Sequence, residues 1–425
     1  MLTQLFLDLT GRQMGRYDLT ILSTRPDIDL LDGRFYAEDP HPLYQWMRAN
    51  EPVYFDAANQ VWGVASYDAV LAASKDPALF SSAGGIRPDS GPLPMMIDMD
   101  DPAHWQRRKL VNRGFTPRRV RDSEASVRQL CDQLIDRVCE TGECDFVRDL
   151  AAPLPMIVIG DMLGVAPADR DRLLHWSDDM VSAQGGQASL EKIQAAAEAF
   201  GEYSEYAQHV IRARRQRPTD DLMSALVHAD VEGDRLDDDE LIHESLLILV
   251  GGDETTRHVI SGGVEQLLRH PDQNRQLLDD PAGIPIAAEE MLRWVSPIKN
   301  MCRTAVRDTE FFGADVRSGQ KLMLLYESAN FDKRQFPEPE RFDAARQPNE
   351  HVAFGFGTHF CLGNSLARLE IRVMVERVLS RLPDLALASD RPLPRRRANF
   401  ISGLERMPVR FTASPPTGQP RNHHL

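Results

Sequence analysis

The chain has 425 residues, of which 42% are hydrophobic and 27% charged, and it carries a net charge of −15. Such a surplus of acid disfavours nucleic acid and anionic membrane as general partners. Five cysteines in an odd, unpatterned set (Cys131, Cys139, Cys144, Cys302, Cys361) argue for a reducing, cytoplasmic setting rather than a disulfide framework. No linker-like stretch and no repeat period is visible, so one domain is expected over 1–425, ordered from roughly 15 to 412 with a tail at 413–425.

In chain order, the first apolar run, Leu5-Phe6-Leu7, is broken by Asp8. It falls far short of the roughly 20 apolar residues of a membrane span, and no signal-peptide cleavage pattern follows. Val53 to Tyr67 alternates as strands do around Val61-Trp62-Gly63-Val64. Phe80 to Met96 is an irregular loop dotted with Gly84-Gly85, Pro88, Gly91-Pro92 and Pro94, and a loop this long is more often functional than idle. Residues 102–119 hold Arg107, Arg108, Lys109, Arg113, Arg118 and Arg119 without one acid. That stretch reads either as a solvated helix flank or as a docking face; a nucleic-acid face would need interleaved aromatics.

Ser123 to Glu140 has helical spacing at Val127, Leu130, Leu134 and Val138. A second helix spans Leu190 to Arg215, closed by Pro218, and the longest runs from Asp237 to Arg269, roughly 50 Å at helical rise. It opens on Asp237-Asp238-Asp239-Glu240, as the helix dipole favours, and stops at His270-Pro271. Thr304 to Leu325 reads as a hairpin turning at Phe312-Gly313-Ala314-Asp315 and again at Arg317-Ser318-Gly319, and 395–413 as a last β pair around Ile401-Ser402-Gly403.

Three segments carry chemistry. Phe354-Gly355-Phe356-Gly357-Thr358-His359-Phe360-Cys361-Leu362-Gly363 sets a cysteine in a glycine-rich turn just before a helical pattern from Asn364 to Leu379. The glycines permit positive φ and close approach to a flat object. Backbone N–H groups around such a sulfur can hold thiolate charge and tune a bound metal, whereas a lone cysteine is otherwise an inert core residue. Val250-Gly251-Gly252-Asp253-Glu254-Thr255-Thr256 breaks the apolar run of the longest helix, where each glycine costs about 1 kcal/mol against alanine. Either two helices cross closely there, or the helix kinks as the Thr255 hydroxyl takes a backbone carbonyl and opens a groove. Glu290 and Arg293 lie at i, i+3 on one helix face, a weak pair if exposed.

Residues 354–363 resemble the haem-ligand signature of the cytochrome P450 family, Phe-Gly-x-Gly-x-His-x-Cys-x-Gly, with every fixed position filled. The resemblance implies a mainly α fold, a triangular helical prism with small β-sheets and a small N-terminal β-rich lobe. It implies haem b (iron protoporphyrin IX) ligated by Cys361 in a loop shaped by Phe354, Gly355 and Gly363, with His104, Arg108, Arg303 and His359 at the propionates. Residues 250–256 resemble the family's Ala-Gly-x-Glu/Asp-Thr-Thr motif, Gly251 standing where alanine is usual. Thr255 is then the oxygen-activating alcohol, and Glu254, with Asp253, the proton relay. Glu290-Met291-Leu292-Arg293 matches the family's Glu-x-x-Arg, a buried structural pair joined by a later arginine, expected at Arg341.

Family position puts substrate contacts at Met96, Val250, Gly251, Ile298, Phe400 and Ile401, with the loop before Met96 closing over the substrate. The basic stretch 102–119, with Arg368 and Arg372, becomes the docking face of a ferredoxin served by a ferredoxin reductase. A monomer using O2 is expected. The chain is most similar, notably over Leu249 to Ile260 and Asn399 to Phe411, to actinobacterial members that oxidise the sterol side chain at its terminal methyl. That implies a steroid C26/C27-hydroxylase of cholesterol or cholest-4-en-3-one; fatty acids, terpenoids and macrolides are alternative substrates. A non-catalytic haem-thiolate sensor would have no need of the Glu254-Thr255 pair, and a peroxide-driven hydroxylase would replace it.

Overall fold

The computed structural model describes residues 25, 27–182, 189–231 and 233–417. The apolar run at 5–7, the expected start of order near 15 and the end of the tail beyond 417 lie outside the described residues. Helices dominate, with small sheets of five, three and two strands among the described residues, as expected of a mainly α P450 fold. Among the described residues no helix is long and apolar enough to cross a membrane.

The long helix, Asp238–Arg269, has 32 residues. Asp237 caps it: its carboxylate accepts the Glu240 N–H at 2.8 Å, while the Glu240 carboxylate accepts the Asp237 N–H at 2.9 Å. This reciprocal pair satisfies two otherwise orphaned donors. The helix runs unbroken through Gly251-Gly252, so the expected kink is not a break in the helix. A Cβ on Gly252 would meet Ile159 at 3.0 Å, where the helix Pro153–Met162 crosses, whereas one on Gly251 would meet nothing within 4 Å. Close crossing explains the second glycine, and the first faces open space.

The helix Leu190–Gln216 ends one residue from expectation, whereas Glu124–Asp136 stops short of Glu140. There the chain unwinds over 137–141 to reach Gly142 at φ 77° and enter the strand Glu143–Asp145. The strand-like stretch 53–67 resolves into an antiparallel hairpin, Val53–Asp56 with Val61–Val64, followed by the helix Tyr67–Lys75. That hairpin continues into a five-stranded sheet through Lys321–Leu325, Asn300–Ala305 and Phe80–Ser81. The expected hairpin over 304–325 is nested: 300–305 pairs with 321–325, and Thr309–Phe311 with Ala314–Val316. Its tip uses Phe312 at φ 50° and Gly313 at φ 84°, the twist that a two-residue hairpin turn needs. The last β pair is only partly formed. Arg395 bridges Leu404, Ile401 bridges Ile298, and Pro408–Arg410 pairs with Glu143–Asp145 and Ala386–Leu387.

The loop after Phe80 is irregular but tied down. Buried Asp98 accepts the N–H groups of Ile86 and Leu93, each at 2.8 Å, and Lys321 Nζ donates to the carbonyls of Arg87 and Ser90.

Beneath the cysteine loop lies a fully buried charge cluster. Arg293 donates to both oxygens of Glu290 at 2.7 and 2.8 Å, and to the carbonyls of Asn330 and Pro339 at 2.8 and 3.1 Å. The third member is Arg346, not Arg341. Arg346 Nε meets Glu290 Oε2 at 3.0 Å, and its other nitrogens take the carbonyls of Pro337, Glu338 and Arg341. Arg341 closes a turn on Glu338 whose outer side is solvent, so its side chain is 64% exposed and among the described residues pairs only with Glu338. Arg346→Ala should therefore cost about 3–5 kcal/mol, because it strips one cation from a buried pair. Arg341→Ala should stay within about 0.5 kcal/mol. Denaturant unfolding of both variants checks this; equal losses would return the role to Arg341.

Candidate active site

A cavity of about 1310 Å³, counting the part open to solvent, lies between the long helix and the cysteine loop. In the loop, Gly355 and Gly357 adopt φ 68° and 73°, and a Cβ on Gly357 would sit 2.3 Å from the Ser74 carbonyl oxygen. The Cys361 N–H closes the turn on the Phe354 carbonyl at 3.0 Å, and Asn364 Nδ2 donates to the Cys361 carbonyl at 2.7 Å. Of the five free cysteines Cys361 alone is among the residues lining the cavity. Burial pushes its thiol up, opposed by the Gly363 N–H and by the charges of Arg108 and Arg368. A metal in contact with the sulfur would remove that proton outright.

Arg368 lies over the Phe354 ring at 4.5 Å and grips Glu289 at 2.7 and 2.9 Å, while His351 Nε2 meets the same carboxylate at 3.1 Å. Burial alone would raise Glu289, but these hydrogen bonds outweigh it and hold the carboxyl down at about 2. Its contribution is present above the ordinary value of 4.5 and is lost as pH falls toward about 2. Glu289 stands beside Glu290 on one helix, so neighbouring carboxylates brace the cysteine loop and the buried cluster. Nothing in the motif pointed to it.

On the other side, His104 and Arg108 line the cavity from the helix Ala103–Val111. The His104 and His359 rings stand 4.1 Å apart, and His104 Nε2 is buried without a partner. Burial and the nearby Arg303, His104 and Arg108 drive His359 down to about 2. Arg303, on the strand Asn300–Ala305, is buried beside the cavity rather than on its lining. This concentration of positive potential, an orphaned buried nitrogen and a thiol facing an apolar space fit a flat, iron-bearing group with two carboxylates.

The Thr255 hydroxyl donates to the Gly251 carbonyl at 2.8 Å and lines the cavity. Asp253 and Glu254 do not: both are wholly buried on the far side of the helix. Asp253 pairs with Arg257, which reaches Asp178 at 3.0 Å and Glu254 at 2.9 Å; Glu254 also meets Arg396 at 2.6 Å. Burial raises both carboxyls despite these cations. Asp178 and Arg396 are 45% and 25% exposed, so the pair connects to solvent away from the cavity. Neither partner stands out in the sequence.

Met96, Gly251 and Ile298 line the cavity with Ile97, Ile248 and Met301. Val250, Phe400 and Ile401 do not, contrary to expectation. Val250 is partly buried and packs against the helical core, and Phe400 and Ile401 pack with Ile86 behind Ile97, Ile298 and Met301. The basic stretch is also less free than its composition implies. Arg107 pairs with Glu240 and Glu244, Arg118 with Asp122, Arg119 with Asp220, and Arg372 with Glu124.

Residues 286–400 match the family model described as Cytochrome P450. The chain is 61% identical over 399 residues to a steroid C26-monooxygenase of Mycobacterium tuberculosis (strain ATCC 25618 / H37Rv), covering 93% of this chain and 100% of that relative. It is 59% identical to a protein of the same name from Mycolicibacterium smegmatis, covering 94% and 99%. In three dimensions it resembles CYP109E1 from Bacillus megaterium in complex with testosterone, with a TM-score of 0.81 and 32% identity over 88% of this chain and 99% of that one. The chain belongs to the cytochrome P450 family, and its cofactor is a thiolate-ligated haem. Cys361→Ser should fold but lose the thiolate signature of the reduced, carbon monoxide-bound haem, since a hydroxyl is a poor donor to iron. A variant that keeps that absorption band would remove Cys361 as the ligand.

Proposed function

We propose that this protein is a monooxygenase that oxidises the terminal methyl of a sterol side chain, cholesterol or cholest-4-en-3-one, entering tail first. The observation that carries the reading is near-full-length similarity to two steroid C26-monooxygenases. The apolar walls at Ile97, Ile248, Ile298 and Met301 support it. When bound, haem supplies activation of dioxygen, one atom going to the substrate and the other to water at the cost of two electrons and two protons.

The chain's own residues hold, orient and deliver. Cys361, Arg108, His104 and His359 would hold the cofactor, with Arg303 adding its charge from beside the cavity. The apolar wall excludes water and buries the side chain; six to eight carbons offer roughly 5–6 kcal/mol at about 0.8 kcal/mol per methylene. Association costs consume much of that, so ring contacts at the mouth must add to it. Thr255 holds a proton at Oγ1 on the cavity wall. Behind it Glu254 and Asp253, raised by burial and paired with Arg257 and Arg396, would pass protons between solvent, reached at Asp178 and Arg396, and the cavity side of the helix.

Thr255→Ala should bind haem and substrate normally yet uncouple, reducing equivalents leaving as peroxide or water. Unchanged product per reducing equivalent would contradict the role. In a spectral titration, cholest-4-en-3-one should bind roughly a hundredfold tighter than a steroid lacking the side chain. Equal affinities, or ring oxidation, would move the reading to fatty acids, terpenoids or macrolides.

Electrons are assigned to a ferredoxin with its reductase. The face beside the cysteine loop supports this: Trp105, Phe356 and Phe360 are exposed there, Lys109 lies over Trp105 at 4.1 Å, and Lys75 over Phe356 at 5.3 Å. Cations flanking an exposed aromatic patch suit an acidic partner, chiefly by speeding encounter. A single-domain monomer in a reducing cytoplasm completes the reading, in keeping with the five free cysteines.

A further inference from the structure

Glu244 stands on the long helix shortly before Leu247 and Ile248, which line the cavity. Its side chain is wholly buried. Oε1 accepts the Met96 N–H at 2.7 Å and faces Arg107 Nη1 at 3.4 Å, and Oε2 is buried without a partner. Met96 lines the cavity and opens the short turn Met96–Asp98. Arg107 belongs to the helix that carries His104 and Arg108. One carboxylate therefore joins the substrate-side turn, the cofactor-side helix and the long helix. Burying it is costly, and a main-chain tie alone would need only a neutral acceptor.

We propose that Glu244 is a positioning residue for the oxidation: it fastens the Met96 turn to the long helix and so sets how tightly the cavity closes on its occupant. This rests on the cavity being the substrate site.

The charged groups around Glu244 fix the sense of its pH response. Arg107 faces it from the helix Ala103–Val111, and Glu240, one turn earlier on the long helix, shares Arg107. On the turn itself, Asp98 is engaged by the N–H groups of Ile86 and Leu93, with Arg87 at 3.8 Å. From the helix Leu190–Gln216 the contact is the Tyr203 hydroxyl on Ser245 at 2.8 Å. Burial lifts Glu244 to about 7, opposed by the Met96 N–H and Arg107. Those two groups favour the ionised form, so they hold Glu244 most firmly above about 7, and the tie slackens as pH falls through that value. Global stability moves the other way. A carboxyl raised from 4.5 stabilises the fold below its unfolded value and loses that contribution as pH rises through about 7. The opposite signs separate a local tie from a general effect on the fold.

The test uses the haem-loaded enzyme with Glu244→Gln and Glu244→Ala. Amide hydrogen exchange across 93–99, corrected for intrinsic rate, is compared at about pH 6 and about pH 8. Wild type should be roughly tenfold better protected at the higher pH, E244Q indifferent to pH, and E244A roughly tenfold less protected at about pH 8. At about pH 8, E244A should bind cholest-4-en-3-one and phenylimidazole roughly tenfold more weakly, with E244Q recovering part of the loss. Wild-type protection that ignores pH, or an E244A that protects and binds as wild type, overturns the proposal. The wild-type series and E244Q decide it even where E244A does not fold. Phenylimidazole needs only an apolar space above the iron. A wild type that binds it but not the sterol overturns the sterol reading, while the exchange and phenylimidazole arms still judge Glu244.

Discussion

A thiolate inside a protein is penalised by burial, and Cys361 meets that penalty with the Gly363 and Asn364 N–H groups and the charges of Arg108 and Arg368. Each of those supports is itself held. Arg368 is fixed by Glu289 and the Phe354 ring, and Glu289 shares a helix with the Glu290–Arg293–Arg346 cluster. Arg108 rides on the helix that also presents His104. Gly357 lets the main chain pass close to Ser74 without a side chain in the way. Apart from Arg108, which lines the cavity, the geometry around one sulfur thus depends on carboxylates and guanidinia set back from it.

The long helix divides its labour by face. Gly251 and Thr255 open on the cavity, Gly252 admits the crossing helix, and Asp253 and Glu254 turn away into a buried set of charges. Arg257 and Arg396 keep those carboxylates from being isolated charges, while burial raises both carboxyls. Earlier on the same helix, Glu244 ties down the Met96 turn. The Met96 tie and the buried charge set thus sit on different turns of one helix.

Much of this was legible because the decisive signals are local. The cysteine loop, the acidic start of the long helix at Asp237 and the glycine pair all declare themselves within a few residues. Non-local partners were not legible. Arg346 rather than Arg341 completes the buried cluster because a turn at Glu338 decides which arginine faces inward. The glycine pair was open to two readings: close crossing accounts for Gly252, while of the kink reading the fold shows the Thr255 bond to the Gly251 carbonyl but no break in the helix. Phe400 and Ile401 are apolar and in the expected stretch, yet they form a second layer because the chain there bridges Ile298. The basic run at 102–119 contains no acid, and apart from Asp122 its neutralising carboxylates, Asp220, Glu240 and Glu244, lie more than a hundred residues away. Pairing across such distances leaves no periodicity in a single sequence.

The most direct measurement of the central claim is the fate of isotopically labelled dioxygen. With a ferredoxin, its reductase and cholest-4-en-3-one, mass spectrometry should find one labelled oxygen atom in the product, on the terminal methyl of the side chain. Label that enters from water, or a hydroxyl placed on the ring system, would contradict it.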